Sequence, residues 1–315
     1  MSNTSEPEIA VVIPAYNRAA TLGRAIESVL GQTRPPTEIV IVDDGSTDAT
    51  AAVAAAYGPT VRVTTIENSG PAIARNVGVN ATSAPWIAFL DSDDYWLPGH
   101  LSRIADAIAG TDGAANVYFA DTSRPTAERN DASLYELADF TADDPWTLVD
   151  DATEWVIRPR QPTMLQSSVF ARPAWDAVDG LWPELRSRHD THVFLRLGIG
   201  GTMCAVAGVG CQMTDDDTSG NRQMDAMGTR SRRYWHHTVA LYGDVLRRQG
   251  DALDTAQRRT LAVRLARGHL SLAKHDLRSH PIDGARHLVA AVRADRRTAF
   301  APVLRRLPGG IRWTR

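Results

Sequence analysis

Residues 38–48, Glu38-Ile39-Val40-Ile41-Val42-Asp43-Asp44-Gly45-Ser46-Thr47-Asp48, run from an apolar stretch into two adjacent carboxylates and a Gly-Ser-Thr-Asp turn. Glu38–Val42 reads as a strand, and the turn delivers the chain into an Ala-rich helical segment. The same alternation extends in both directions. Towards the N-terminus, Glu8–Ile13 reads as a buried strand stopped by Pro14, and Thr21 can cap a helix whose Leu22, Ala25, Ile26, Val29 and Leu30 share a face. Towards the C-terminus, Val61–Ile66 reads as a third strand, and Pro71 suits the first turn of the next helix, where its missing N–H costs nothing. Trp86–Leu90 is a fourth apolar strand running straight into Asp91, Pro98 opens a further helix, and Asn116–Ala120 predicts a fifth strand. Such regular alternation predicts an α/β domain with a largely parallel sheet.

Past Ser123 the pattern is looser. Asp144-Pro145 predicts the start of a helix carrying Trp146, Leu148, Val149 and Trp155; Met164–Phe170 reads as a strand, and Asp190–Leu197 has helical spacing. Thr202–Val206 and Val209–Met213 read as a short pair of strands. From Gln223 onward the chain turns to Arg-rich helical segments broken near Gly250, Pro281 and Pro308. The expected organisation is a catalytic α/β domain over residues 1–222 and a helical extension over residues 223–315.

A length of 315 residues, with 43% hydrophobic and 23% charged residues, is that of a globular protein able to bury a large core. The net charge of −3 gives no electrostatic reason to expect a nucleic-acid partner. Residues 292–315 nonetheless carry seven Arg and one Asp, so a basic end opposes an acidic body. Cys204 and Cys211, without a CxxC spacing, read as buried free thiols. Met1–Glu8 lacks the basic and apolar regions of a secretory signal, and the longest uncharged apolar run, Ile199–Met213, is broken by four Gly. A cytoplasmic protein is expected.

Two acidic clusters, Asp43-Asp44 and Asp91-Ser92-Asp93-Asp94, fall at the carboxyl ends of apolar strands, where ligands gather in open α/β sheets. Carboxylates packed together repel one another unless a cation or hydrogen-bond donors compensate. Mg²⁺ and Mn²⁺ prefer carboxylate oxygen and share it with substrate phosphates, so an acidic mouth with a divalent ion suits a departing diphosphate.

Four segments in order, Val12–Asn17, Ile41–Asp48, Asn68-Ser69-Gly70-Pro71-Ala72-Ile73-Ala74-Arg75-Asn76-Val77-Gly78 and Phe89–Asp94, resemble the motifs of family 2 glycosyltransferases. The resemblance is strong over roughly the first 120 residues and fainter over 160–215. It implies a GT-A fold, Rossmann-like with a mostly parallel central sheet flanked by helices, here with a helical C-terminal extension. It also implies inverting transfer from a nucleoside diphosphate sugar, favouring the UDP type.

By the same resemblance Pro14, Ala15, Tyr16 and Asn17 would lie against base and ribose, with Tyr16 offering an aromatic face. Asp44 would accept a hydrogen bond from the base while Asp43 is structural, and Arg75 would meet the diphosphate or sugar. Asp91 and Ser92 would contact the nucleotide-sugar. Asp93 would hold the metal, and Asp94 would be a second metal contact or a cap on the next turn. Inversion needs a base for the acceptor hydroxyl. The family's Glu-Asp pair corresponds to His189-Asp190, followed by Arg196-Leu197, so Asp190 is the expected base and His189 a departure from the pattern.

Asp215-Asp216-Asp217 reads as a solvated loop and His236-His237 as structural. Leu304, Leu307, Ile311 and Trp313, set among Arg, fit peripheral contact with an anionic inner membrane surface, or equally a basic helical cap. The acceptor would be a saccharide or a lipid-linked saccharide. A nucleotidyltransferase and a catalytically inactive sugar-nucleotide-binding protein are the alternatives.

Overall fold

Strand β1 (Ile9–Ala15) is buried along its whole length and lies between two parallel neighbours. In the computed structural model, which describes residues 6–123, 132–214 and 231–304, it belongs to a sheet of order β3-β2-β1-β4-β8-β6-β9-β5, with β7 paired to β9. The other strands are β2 (Glu38–Asp43), β3 (Arg62–Thr65), β4 (Trp86–Phe89), β5 (Tyr95–Trp96), β6 (Val117–Ser123), β7 (Trp146–Val149), β8 (Ser168–Ala171) and β9 (Met203–Gln212). The first four strands in sequence pair parallel, as continuous apolar runs joined by helical crossovers must. Beyond β4 the sheet is mixed: β8 enters antiparallel between β4 and β6, and β9 runs parallel to β6.

Pro14 does not end β1. Alternate residues of the strand face each neighbour, and Val12 O, on the β4 side, already accepts from Leu90 N where β4 gives out. The missing N–H of Pro14 therefore falls past the end of that ladder. Helices α1 (Leu22–Leu30), α2 (Thr50–Ala55), α3 (Pro71–Asn80) and α4 (His100–Gly110) connect the strands. Leu22, Ala25, Ile26 and Val29 of α1 are buried in one cluster with Ile9, Val11 and Ile13 of β1. Thr21 stands at the helix start, but its hydroxyl makes no hydrogen bond. On α3, Pro71 is the first helical residue, and the helix lies so close to the sheet that a Cβ on Gly78 would stand 2.2 Å from Val12 Cγ1.

Two later expectations are corrected. The segment after Asp144-Pro145 is strand β7, because Trp146–Val149 pairs antiparallel with Met203–Val206. Only Thr153–Val156 (α6) is helical there, with Ser133 boxing the short α5 (Leu134–Leu137) earlier. The expected pair at 202–213 is the single strand β9, which absorbs its glycines through register shifts against Ala120–Thr122 of β6. Cys204 and Cys211 on this strand are free and buried, as expected.

Helices α7 (Arg172–Ala177) and α8 (His189–Gly198) follow β8. Phe170 is the hinge of their packing: its ring lies 5.2 Å from Trp175 of α7 and 5.7 Å from Phe194 of α8, while Phe89 of β4 lies 5.0 Å from Trp175. This aromatic cluster ties α8 to the centre of the sheet.

The chain divides into two compact units, Met1–Arg222 and Gln223–Arg315. The second is helical over its described residues, with α9 (Arg232–Gln249), α10 (Thr255–Asp276), α11 (Pro281–Ala294) and α12 (Arg296–Leu304). Asp254 and Gln257 form a capping box at the start of α10, and Leu241, Val245, Leu261, Leu272 and Ala291 are buried. Asp276 is fully buried, accepting from Arg232 Nε at 2.5 Å, with His287 Nε2 3.7 Å away. His236, whose ring lies 6.0 Å from that of His287, belongs to this internal cluster. Pro308 and the apolar positions 307, 311 and 313 lie outside the described residues.

Candidate active site

The loops that leave β1 and β2 are stitched together by short polar side chains. Asn17 adopts a left-handed backbone (φ 52°), which Asn tolerates better than most residues. Its N–H donates to Ser46 Oγ at 2.9 Å, and its Oδ1 accepts from Thr47 N at 2.8 Å. Arg18 N donates to Thr50 Oγ1 at 2.7 Å. Tyr16, between these anchors and the strand, is 39% exposed.

Asp43 and Asp44 are both buried, and both serve the backbone. Asp43 Oδ1 accepts from Ser46 N at 3.1 Å. Asp44 accepts from Ser69 N at 2.7 Å through Oδ1 and from Gly70 N at 2.8 Å through Oδ2, so it clamps the entry to α3. The second lone pair of each Asp44 oxygen is left for a further donor. Gly45 completes the turn at φ +73°, where a Cβ would stand 2.8 Å from Asn68 N.

Arg75 projects from α3 and is 5% exposed. Its Nη2 pairs with Asp91 Oδ1, and its Nη1 lies 3.1 Å from His189 Nε2. The other ring nitrogen of His189, Nδ1, lies 3.2 Å from Leu185 O. A carbonyl only accepts, so Nδ1 carries the proton and Nε2 accepts from Arg75. Burial, and then the Arg75 charge, push the His189 pKa down to about 4, so the imidazole is neutral at pH 7. The sequence reading placed Arg75 on the donor; the structure also makes it the link between the end of β4 and the start of α8.

Asp190 is the second residue of α8, partly exposed, and its Oδ1 accepts from Thr191 N at 2.7 Å. The N-cap position belongs to Arg188, with φ 65°, so Asp190 is not spent as the cap of its own helix. Its negative charge acts on His189, as does that of Asp91. The acidic run at β4 and the first turn of α8 thus share one electrostatic environment.

Within that run, carboxylate oxygens of Asp91, Asp93 and Asp94 all lie within 4.8 Å of one another. Ser92, between them, is buried. Asp94 is 3% exposed, accepting from Thr214 N and from Gln166 Nε2, each at 3.1 Å. Burial first, then the charges of Asp91 and Asp93, push its pKa up to about 8. A carboxyl held protonated beside two carboxylates is what a divalent cation would relieve, and oxygen is the donor that Mg²⁺ and Mn²⁺ prefer. Asp91, Asp93 and Asp94 therefore fit such an ion.

Among the residues of this site that carry no assignment from sequence are Arg18, Thr214 and Gln166. Arg18 Nη2 lies 3.6 Å from Asp93 Oδ2; Thr214 donates from Oγ1 to Asp93 O at 2.6 Å as well as from N to Asp94; Gln166 reaches Asp94 from the turn before β8. Arg18 directly follows Asn17. Gln166 and Thr214 arrive from 72 and 120 positions away, beyond any local pattern. Asp215-Asp216-Asp217 lies outside the described residues.

Residues 10–160 match the family model for glycosyl transferase family 2. The succinoglycan biosynthesis protein ExoO of Rhizobium meliloti (strain 1021) is 47% identical over 102 residues, which are 32% of this chain and 29% of that protein. The chain thus aligns with less than a third of that relative's length. Among solved structures, S. aureus TarS 1–349 in complex with UDP-GlcNAc superposes with a TM-score of 0.69 at 19% identity, over 94% of this chain and 83% of that one. The mannosyltransferase PcManGT from Pyrobaculum calidifontis, in complex with GDP-Man and Mn²⁺, gives 0.56 at 19% identity, over 95% and 79%. Both share the fold of this chain. The family match takes in both acidic clusters and Arg75 but stops before Asp190.

Proposed function

The chain belongs to glycosyl transferase family 2 through residues 10–160, and on that premise we propose that it moves a sugar from a nucleoside diphosphate donor, of the UDP type, to a saccharide or lipid-linked saccharide with inversion at the anomeric carbon. The observation that carries this reading is the Arg75 bridge, which joins the acidic run after β4 to the turn of α8 that presents Asp190.

In this mechanism Asp190 takes the proton of the acceptor hydroxyl as its oxygen attacks the anomeric carbon and the bond to the diphosphate oxygen breaks. Pro14, Ala15, Tyr16 and Asn17 line the nucleoside side, the exposed Tyr16 ring offering a stacking face, and Asp44 holds the loop beside it. Asp91 and Ser92 meet the ribose or sugar, with Arg75 fixing the Asp91 carboxylate. Mn²⁺ or Mg²⁺ held by Asp93 and Asp94 would stabilise the charge that develops on the departing diphosphate. The donors held by TarS and PcManGT, and the Mn²⁺ of the latter, support the donor class and the metal. The succinoglycan of ExoO supports a saccharide acceptor.

In this reading residues 1–222 form the donor-binding and catalytic domain and residues 223–315 a helical extension. No helix among the described residues is long and apolar enough to cross a membrane. We assign the protein to the cytoplasm, in peripheral contact with the anionic inner membrane surface. Exposed Ile282 and Val289 on α11 beside Arg286 and Arg293 suit such contact, and absence of binding to anionic vesicles at low salt would remove this part of the reading.

The test is release of nucleoside diphosphate from a panel of nucleotide-sugars with Mn²⁺, with the anomeric configuration of the product read by NMR. Asp190→Asn should lower kcat by about 10²-fold to 10⁴-fold. If both Asp93→Ala and Asp190→Asn left turnover intact, the assigned roles would be wrong. Pyrophosphate release from a nucleoside triphosphate would point to a nucleotidyltransferase, and tight donor binding without turnover to a binding protein.

A further inference from the structure

Helix α3 carries Asn76 directly after Arg75, and the two side chains reach one later segment of the chain at its two ends. Asn76 Nδ2 donates to Leu181 O at 2.7 Å, and Asn76 Oδ1 accepts from Leu181 N at 3.0 Å. One side-chain amide thus satisfies both backbone groups of a fully buried residue that lies between α7 and α8, outside every strand. Gly180, just before it, turns at φ +64°, and a Cβ there would stand 2.8 Å from Asn76 Oδ1 and 2.9 Å from Trp175 Nε1. The turn is therefore pressed between α3 and the Trp175 ring that packs on Phe89 and Phe170. Further along, the Trp182 ring lies 5.2 Å from that of His192, Leu185 O meets His189 Nδ1, and His189 Nε2 meets Arg75. The loop 181–189 is thus tied to α3 at its first residue and at its last, and Asp190 comes next in the chain.

We propose that Asn76 is a positioning residue for Asp190: by fixing Leu181 it sets where the loop, and the carboxylate that the loop delivers, stands against the donor site. The inference rests on the reading of Asp190 as the base for the acceptor hydroxyl. Two antiparallel hydrogen bonds fix orientation as well as distance, so α3 acts as a rigid rail for the entry to α8. With the tie cut, the loop can shift against α3, and a displacement of about 1 Å in a catalytic group can cost about 10²-fold in rate. The bonds of the Asn76 side chain go to Leu181 and not to the acidic run, so its loss should leave donor binding in place.

A double-mutant cycle on the full chain tests this, with wild type, Asn76→Ala, Asp190→Asn and the double variant. Two quantities are read: kcat for nucleoside diphosphate release from the nucleotide-sugar panel with Mn²⁺, and UDP affinity by calorimetry at saturating Mn²⁺. Asn76→Ala should lower kcat by about 10-fold to 100-fold. Its UDP affinity should stay within about twofold of wild type, and in the Asp190→Asn background it should change kcat by less than about twofold, because the group it aims is gone. A merely structural role would lower kcat by the same factor in both backgrounds, or leave it unchanged in both with only stability lost, and either result overturns the proposal. A fall in UDP affinity that matches the fall in rate would place Asn76 on the donor and overturns it as well. These failures leave the base reading standing as long as Asp190→Asn is slow. If Asp190→Asn turns over like wild type, or if wild type releases no nucleoside diphosphate at all, the reading of the site falls and the role of Asn76 with it. If Asn76→Ala does not fold, Gly180→Ala, whose methyl would crowd the same bond, goes through the cycle under the same criteria.

Discussion

Replacing His189 with Gln should flatten the acid limb of the stability curve. The imidazole is buried, donates from Nδ1 to Leu185 O, and accepts from Arg75 through Nε2. Burial, and then the Arg75 charge that a second cation would face, push its pKa down to about 4 from an ordinary value near 6.5. The unfolded chain therefore binds more protons than the folded one between these values, and stability falls as the pH drops through that window. At about 1.36 kcal/mol per pKa unit the gap corresponds to about 3 kcal/mol in full, of which about 2 kcal/mol is lost by pH 5. Gln offers Arg75 a carbonyl oxygen that does not titrate. Denaturant unfolding followed by tryptophan fluorescence at pH 7.5, 6 and 5 gives the comparison. His189→Gln should be less stable than wild type by about 1 kcal/mol at pH 7.5 and should lose about 2 kcal/mol less on going to pH 5. His100, held down to about 3 by burial and Arg103, is present in both proteins, so its contribution cancels. Parallel curves for the two proteins would refute the assignment of His189 as a neutral acceptor.

Asp44→Ala should cost about 2–4 kcal/mol, because the amides of Ser69 and Gly70 lose their acceptors, and should weaken UDP binding in a titration. Gly78→Ala should lower the unfolding midpoint through about 1–3 kcal/mol of overpacking, since its Cβ meets Val12 Cγ1 at 2.2 Å. Mn²⁺ should raise the midpoint of wild type, a chelator should reverse the rise, and Asp93→Ala should abolish it. Because Asp94 carries a raised pKa of about 8, Mn²⁺ must displace a proton there. Its affinity should increase between pH 6 and 8, with proton release visible as a dependence of the calorimetric heat on the buffer.

The parallel half of the sheet was legible because β1, β2 and β4 are continuous apolar runs, each followed at once by a turn, and need no distant partner to be recognised. β7 was not. Trp146, Leu148 and Val149 are strand residues only because Met203–Val206 lies beside them, and nothing near Pro145 announces that pairing. β9 read as two strands because Gly208, at φ +83°, imitates a hairpin turn. The same division holds at the site. Asp91, Asp93 and Asp94 stand out by position at a strand end, and Asp190 through the family resemblance of the segment His189–Leu197. The contact between Arg75 and His189 joins residues 114 positions apart, and no periodicity carries across that distance. His189 drew notice only as a mismatch, and it took the neighbouring guanidinium to give the mismatch a chemical meaning.

The Arg75 bridge also limits how this chain can be recombined. The matched stretch ends at residue 160, and a designer exchanging acceptor specificity would naturally cut there and import the remainder from a relative. The imported segment would bring its own residue at position 189, and with a carboxylate in place of the imidazole Arg75 would face two anions instead of one. A graft made beyond residue 160 would then be felt at Asp91, well before the cut. Positions 75, 91 and 189 should travel as a set.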